Sequence, residues 1–305
     1  MVTLDTQAWQ HQYINVNQAN QVRLHYVTQG EGDLVILLHG FPEFWYSWRF
    51  QLPALARHFK VVVPDLRGYN DSEKTQQGYD LKTLSQDILS LITALGYERA
   101  HIVGHDCGGV IAWYLAQNFP QALGKLVVLN APPPDGLFRE IWGQLDHLWR
   151  RWPLLACQVP GLAEYWLGSN LKGFVQDWFQ RYSIRKAAFS NDTLQIYQSA
   201  LEKAGAISAA LASYRHLLLP QAWWPQFRNQ VQQINIPTLV LWGADDPVLS
   251  RSLTESLEHL LTGPWRLRLL NDCGHWAMQE VPDLVNRELI NFLRGDVLLL
   301  PNPNS

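Results

Sequence analysis

The stretch His101-Ile102-Val103-Gly104-His105-Asp106-Cys107-Gly108-Gly109-Val110-Ile111 decides the fold. A short apolar run, Ile102-Val103, leads into it, and a helix-like segment from Val110 to Ala116 leads out. Between them Asp106 stands at the centre of a small-x-nucleophile-x-small pattern, with Gly104 before it and Gly108 after it. That pattern belongs to a strand-to-helix turn so sharp that only glycine-sized neighbours fit, which thrusts the central side chain out at the top of a sheet. Here the central residue is a carboxylate. A carboxylate nucleophile attacks saturated or strained carbon and leaves an alkyl ester, so this one residue changes the reaction class.

Outward from the turn, apolar runs of buried-strand length recur at Leu34–Leu38, Val61–Val63, Ile102–Val103, Leu126–Leu129 and Thr238–Trp242, with a further strand-like run at Arg266–Leu270. Segments with helical spacing follow most of them, at Leu81–Leu95, Val110–Asn118 and Ser252–Leu261. Such alternation predicts a parallel sheet covered by helices on both faces, with reactive groups on the loops at the carboxyl ends of the strands. Val22–Thr28 alternates and reads as an antiparallel leading strand.

The rhythm breaks at Ala131-Pro132-Pro133-Pro134-Asp135-Gly136 and resumes at Ile236-Pro237. The interval reads as a helical insertion between two strands, dividing the chain into core 1–132, inserted cap 133–230 and core 231–305. Seven of the 14 tryptophans lie in that insertion: Trp142, Trp149, Trp152, Trp166, Trp178, Trp223 and Trp224. This exceeds what a solvent-facing helical layer uses, and it predicts an aromatic, apolar pocket beneath the cap.

Composition sets the bounds. With 305 residues, 47% hydrophobic and 17% charged, the chain can bury a sizeable core. A net charge of -3 gives no basic footprint for nucleic acid. Cys107, Cys157 and Cys273 are odd in number and lack metal-ligand spacing, as expected of free thiols in a reducing compartment. No signal-peptide pattern opens the chain, and no run approaches the roughly 20 apolar residues of a membrane span. The expectation is a cytoplasmic protein without a metal or organic cofactor.

Four further signals accompany the turn. His39-Gly40-Phe41-Pro42 follows Leu34–Leu38, and Asp65-Leu66-Arg67-Gly68-Tyr69 follows Val61–Val63. Trp242-Gly243-Ala244-Asp245-Asp246-Pro247 offers an acid after one strand, and Asp272-Cys273-Gly274-His275-Trp276 offers a histidine after the last. With the extended motif His39-Gly40-Phe41-Pro42-Glu43-Phe44-Trp45-Tyr46-Ser47-Trp48-Arg49, the chain resembles the epoxide-hydrolase-like branch of the α/β-hydrolase family over nearly its whole length.

That resemblance implies a mostly parallel eight-stranded sheet with a helical cap, and a cis Phe41–Pro42 peptide. It implies that Asp106 opens an apolar epoxide to a glycol monoester, which His275-activated water hydrolyses while Asp246 orients the imidazole. The backbone N–H groups of Phe41 and Cys107 would form the oxyanion hole, and Tyr214 would protonate the opening oxirane. Trp152 and Trp276 are the expected substrate contacts, and Asp65–Tyr69 is a bordering loop in which Arg67 makes an ion pair. Asp246 is preferred over Asp245 because it matches the family's Trp-Gly-x-x-Asp spacing, and the alternative acid position one strand earlier holds Asn130.

The family uses two cap tyrosines, and the chain departs from it at the second. Counting from Gln158-Val159-Pro160 places Pro153 there, with Tyr165 and Tyr197 as possible replacements. Cys107 also stands where epoxide hydrolases commonly carry Trp. A hydrolytic dehalogenase would share Asp106 and His275 but needs halide- or carboxylate-gripping groups where Cys107 and Val110 stand. An esterase would need Ser or Cys at the turn itself. A non-catalytic ligand-binding protein on a hydrolase scaffold is the reading from outside enzymology.

Overall fold

Strands made almost entirely of apolar residues need cover on both faces, and the arrangement of the chain supplies it. In the computed structural model, residues 9–17, 21–134, 136, 158–159, 161–218, 232–255 and 257–296 are described. Eight strands form one sheet: β1 (Gln10–Val16), β2 (Val22–Gln29), β3 (Leu34–Leu38), β4 (Lys60–Pro64), β5 (Ala100–His105), β6 (Leu123–Leu129), β7 (Thr238–Gly243) and β8 (Trp265–Leu270). Their order is β1-β2-β4-β3-β5-β6-β7-β8. The β1–β2 and β2–β4 pairs are antiparallel, and the remaining pairs are parallel.

The pleat divides the core in two. Leu34, Ile36, Leu38, Val62, Ile102, Val128 and Val240 face one side, where α2 (Leu81–Ala94) and α3 (Asp106–Asn118) cover them. Val35, Leu37, Val61, Val63, Val103, Val127, Leu129, Leu239 and Leu241 face the other. There they meet Leu52 and Leu55 of α1 (Gln51–Leu55), and Val285, Leu289 and Phe292 from a C-terminal helix, Pro282–Arg294. Each fully buried aliphatic side chain contributes about 1.5–3 kcal/mol, so these two layers carry the sheet.

Between β6 and β7 the described residues form inserted helices α4 (Leu162–Ser169), α5 (Leu171–Tyr182), α6 (Asn191–Glu202) and α7 (Ala206–Leu218). Among the described residues of that interval there is no strand. Ser190 caps α6 by accepting from the Thr193 N–H, and the Glu164–Arg215 ion pair at 2.7 Å joins α4 to α7. A short helix, α8 (Ala277–Glu280), and then α9 (Pro282–Arg294) follow β8.

Two elements differ from expectation. β1, Gln-His-Gln-Tyr-Ile-Asn-Val, is a polar edge strand exposed over most of its length, so it carries no apolar run to reveal it. Ser252–Leu261, expected as a helix, forms two short 3₁₀ turns at Arg251–Thr254 and Leu257–His259. Leu261 instead pairs with Ile234 in an isolated parallel bridge, which takes the end of the segment away from helical geometry.

Candidate active site

The sheet changes direction at β3, which is flanked by β4 on one side and β5 on the other. In such sheets a crevice opens beyond the carboxyl ends of the strands at the point of reversal. The loop after β3 carries His39–Pro42, and Asp106 follows β5 directly, so both border this crevice.

Tight packing makes the turn at Asp106. A Cβ on Gly104 would lie 2.4 Å from the Gly108 carbonyl oxygen, and one on Gly108 would lie 2.5 Å from the carbonyl oxygens of Leu38 and His39. Asp106 itself holds φ +48°, a left-handed conformation costly for a residue with a side chain. It begins α3, whose N-terminal dipole favours a negative charge there.

The loop after β3 is held from both sides. His39 Nε2 accepts from the Leu66 N–H at 3.0 Å, which assigns the ring proton to Nδ1 and its donation to the Gly40 carbonyl at 2.9 Å. Burial lowers the His39 pKa, in keeping with that neutral tautomer. The Phe41–Pro42 peptide is cis. Gly40 leaves the space that Asp106 needs, because a Cβ there would lie 2.6 Å from Asp106 Cβ. The Phe41 N–H then donates to Asp106 Oδ2 at 3.0 Å.

Asp246 follows β7, and His275 lies in the loop between β8 and α8. Their contact, Nδ1 to Oδ2, is 2.9 Å, while His275 Nε2 lies 3.9 Å from Asp106 Oδ1, too far for a direct hydrogen bond. Asp246 also accepts from the N–H groups of Val248 and Leu249 at 2.7 and 3.0 Å, and from Asn130 Nδ2 at 2.8 Å. Burial works to raise the Asp246 pKa, but the charge and hydrogen bond of His275, with the Leu249 and Asn130 donors, hold it below the usual carboxylate value. Burial likewise works to lower that of His275. The charge and hydrogen bond of Asp246, then the charge of Asp106, raise it to about 9.

Aromatic rings from the inserted helices stand over Phe41. Tyr214 of α7 stacks on it at 5.2 Å, and Trp178 of α5 meets it edge-on at 5.8 Å. Cys107 is buried beside Asp106, and burial together with the Asp106 charge keeps its thiol pKa well above the ordinary value. That thiol is a poor nucleophile.

Not every expected residue is at the site. Trp276 is fully buried, with its ring against His275, Phe179 and Phe189 at 5.2, 4.9 and 5.4 Å. It backs the histidine and offers no surface to a substrate, which corrects its expected role. Trp152 and Pro153 lie outside the described residues. Of the replacement tyrosines, Tyr165 is 77% exposed, and Tyr197 is fully buried with its hydroxyl donating to Gln279 at 3.0 Å.

Residues the motifs did not single out complete the support. His105 bridges the Glu43 carboxylate, at 2.8 Å, to the His275 carbonyl, at 2.9 Å. Glu43 also accepts from the Gly40 N–H at 3.2 Å. Arg67 forks onto Asp87 of α2 at 2.8 and 2.6 Å, the ion pair expected of its loop. His25, Asp65 and Asp71 bring potential metal ligands within 4.8 Å of one another, but Lys203 already pairs with Asp71 at 2.6 Å. No helix among the described residues is long and apolar enough to cross a membrane.

Residues 33–281 match the model of the alpha/beta hydrolase fold family. The chain is 32% identical to human epoxide hydrolase 4, over 94% of its own length and 79% of that protein. It is 34% identical to the AB hydrolase superfamily protein YfhM of Bacillus subtilis, over 93% of this chain and 98% of that one. An epoxide hydrolase from Bacillus megaterium, solved with an inhibitor, superposes with a TM-score of 0.82 at 30% identity, covering 93% of this chain and all of that one. With its single eight-stranded sheet and the Asp106 turn at the crevice, the chain belongs to the α/β-hydrolase fold family and is epoxide-hydrolase-like within it.

Proposed function

We propose that this protein opens an apolar epoxide to a vicinal diol through a covalent ester on Asp106. The observation that carries the reading is the divided environment of one carboxylate. Oδ2 takes the Phe41 N–H, while Oδ1 faces His275. Oδ1 attacks a ring carbon, the ring C–O bond breaks, and the released oxygen takes the Tyr214 hydroxyl proton. The inserted helices act as the cap that brings Tyr214 there, and Phe41 and Trp178 favour an apolar substrate.

Ester formation also prepares the second step. The charge of Asp106 is one of the groups that raise the His275 pKa. Esterification removes that charge, so the imidazole releases its proton more readily and becomes a base when one is needed. Neutral His275 takes a proton from water, and the resulting hydroxide adds to the ester carbonyl. The oxyanion develops on Oδ2, facing the Phe41 N–H, with the Cys107 N–H as the second donor of the hole. Collapse breaks the ester C–O bond, and the leaving alkoxide takes the proton from His275. The new carboxylic acid returns a proton to the Tyr214 phenolate through water, which leaves epoxide plus water converted to diol. Asp246, fixed by Asn130 and two N–H groups, holds the imidazole throughout.

A single turnover in ¹⁸O-water tests this route. Water attack on the ester carbonyl leaves ¹⁸O in the Asp106 carboxylate and none in the first diol. Label in the first diol would mean that water opens the ring directly, with no ester on the enzyme.

A further inference from the structure

Glu280 is 5% exposed and lies at the end of α8. Its carboxylate is filled by backbone donors from two segments. Oε2 accepts from the N–H groups of Ile184 and Arg185, both at 2.9 Å, in the turn that follows α5. Oε2 also accepts from the Gly274 N–H at 3.1 Å, and Oε1 from the Trp276 N–H at 3.3 Å. Gly274 and Trp276 are the two neighbours of His275 in the chain.

The approach is close enough to exclude a side chain at Gly274. A Cβ there would lie 2.9 Å from Glu280 Oε1 and 3.0 Å from both the Ile184 nitrogen and the Tyr182 carbonyl oxygen. Two further contacts join the same segments. Arg185 Nε donates to the Asp272 carbonyl at 2.9 Å, and the Trp276 ring packs on Phe179 of α5 at 4.9 Å. One buried carboxylate therefore ties the inserted helices to both sides of the histidine. A carboxylate accepting several N–H groups is a strong anchor, and removing it leaves buried donors unpaired.

We propose that Glu280 is a positioning residue that couples the docking of the Ile184–Arg185 turn to the alignment of His275 for ester hydrolysis. The proposal rests on the reading of His275 as the base of the second step. Alkylation by Asp106 does not need that proton abstraction, so loss of Glu280 falls mainly on the hydrolytic half of the cycle.

Glu280→Gln keeps the shape while replacing one acceptor oxygen by a donor that faces N–H groups. Wild type and variant are mixed with styrene oxide, quenched over time and weighed as intact protein, with hydrogen exchange followed at residues 182–189 and 272–280. The expected result is alkylation within about twofold of wild type, ester hydrolysis slowed on the order of 10–100-fold, and ester accumulating on the enzyme. Exchange rises in both segments together. Equal loss of both chemical steps, unchanged hydrolysis, or faster exchange in only one segment would each overturn the coupling. If neither wild type nor His275→Gln yields an ester, the epoxide reading fails, and the exchange comparison still decides whether Glu280 links the two segments. Should Glu280→Gln not fold, Glu280→Asp, which keeps the charge but withdraws the oxygens, is read by the same criteria.

Discussion

His275 holds its proton more tightly than an isolated imidazole because Asp246 bonds Nδ1 and Asp106 faces Nε2. The raised pKa, about 9 against an ordinary 6.5, ties stability to pH. A group whose folded pKa is raised stabilises the fold fully below its unfolded value and loses that contribution as pH climbs through the folded value. The window therefore runs from about pH 6.5 to above 9, and the contribution is on the order of a few kcal/mol. Denaturant unfolding of wild type and His275→Gln at pH 6, 8 and 10 should show the stability difference between them changing in favour of the variant as pH rises. A difference constant across that range would mean that the ion pairs do not raise the pKa in solution. The depressed Asp246 contributes in the opposite sense, its share being lost as pH falls toward acid, outside this window. Asp106, Asp246 and His275 were legible in the sequence because each sits in a short motif directly after a strand. The support given by Asn130, Glu43, His105 and Glu280 was not, because each also bonds a segment remote in the chain: Asn130 to Asp246, Glu43 to His105 and Gln279, His105 to His275, and Glu280 to Ile184 and Arg185. Trp276 was misread because an aromatic beside a catalytic-type histidine suits a pocket as well as it suits the core.

At the scale of elements, glycines decide how closely β3, β5 and α3 approach. Gly108 puts the first turn of α3 against the end of β3, and a methyl group there would press on the Leu38 and His39 carbonyl oxygens at 2.5 Å. These are backbone atoms, which cannot turn aside. Gly108→Ala should cost about 1–3 kcal/mol, the scale of overpacking a tight site. Gly168 makes the opposite case. It lies within α4, where a Cβ would meet nothing within 4 Å. Gly168→Ala should stabilise by up to about 1 kcal/mol through helix propensity. Thermal or denaturant melts of the two variants should therefore move in opposite directions, and a shared direction would contradict the packing described for this turn. The apolar strands were legible from uninterrupted runs such as Leu34–Leu38, whereas β1 was hidden by its polar edge composition. The Ser252–Leu261 spacing suits a helix, but the pairing of Leu261 with Ile234 overrides that local preference.

Across the whole molecule, one sheet carries each group on a separate strand end, Phe41 after β3, Asp106 after β5, Asp246 after β7 and His275 after β8. The inserted helices bring Tyr214 and Trp178 over Phe41 from the other side. This division puts Asp106 and His275 on different elements, so replacing His275 leaves Asp106 in place. The most direct test of the account is the intact mass of the His275→Gln protein after exposure to an aryl epoxide and a haloalkane together. The account predicts a persistent gain equal to the whole epoxide, absent when Asp106→Asn is added. A gain equal to the alkyl group without its halogen would show dehalogenation instead, and folded protein that gains no mass from either would contradict a covalent ester on Asp106.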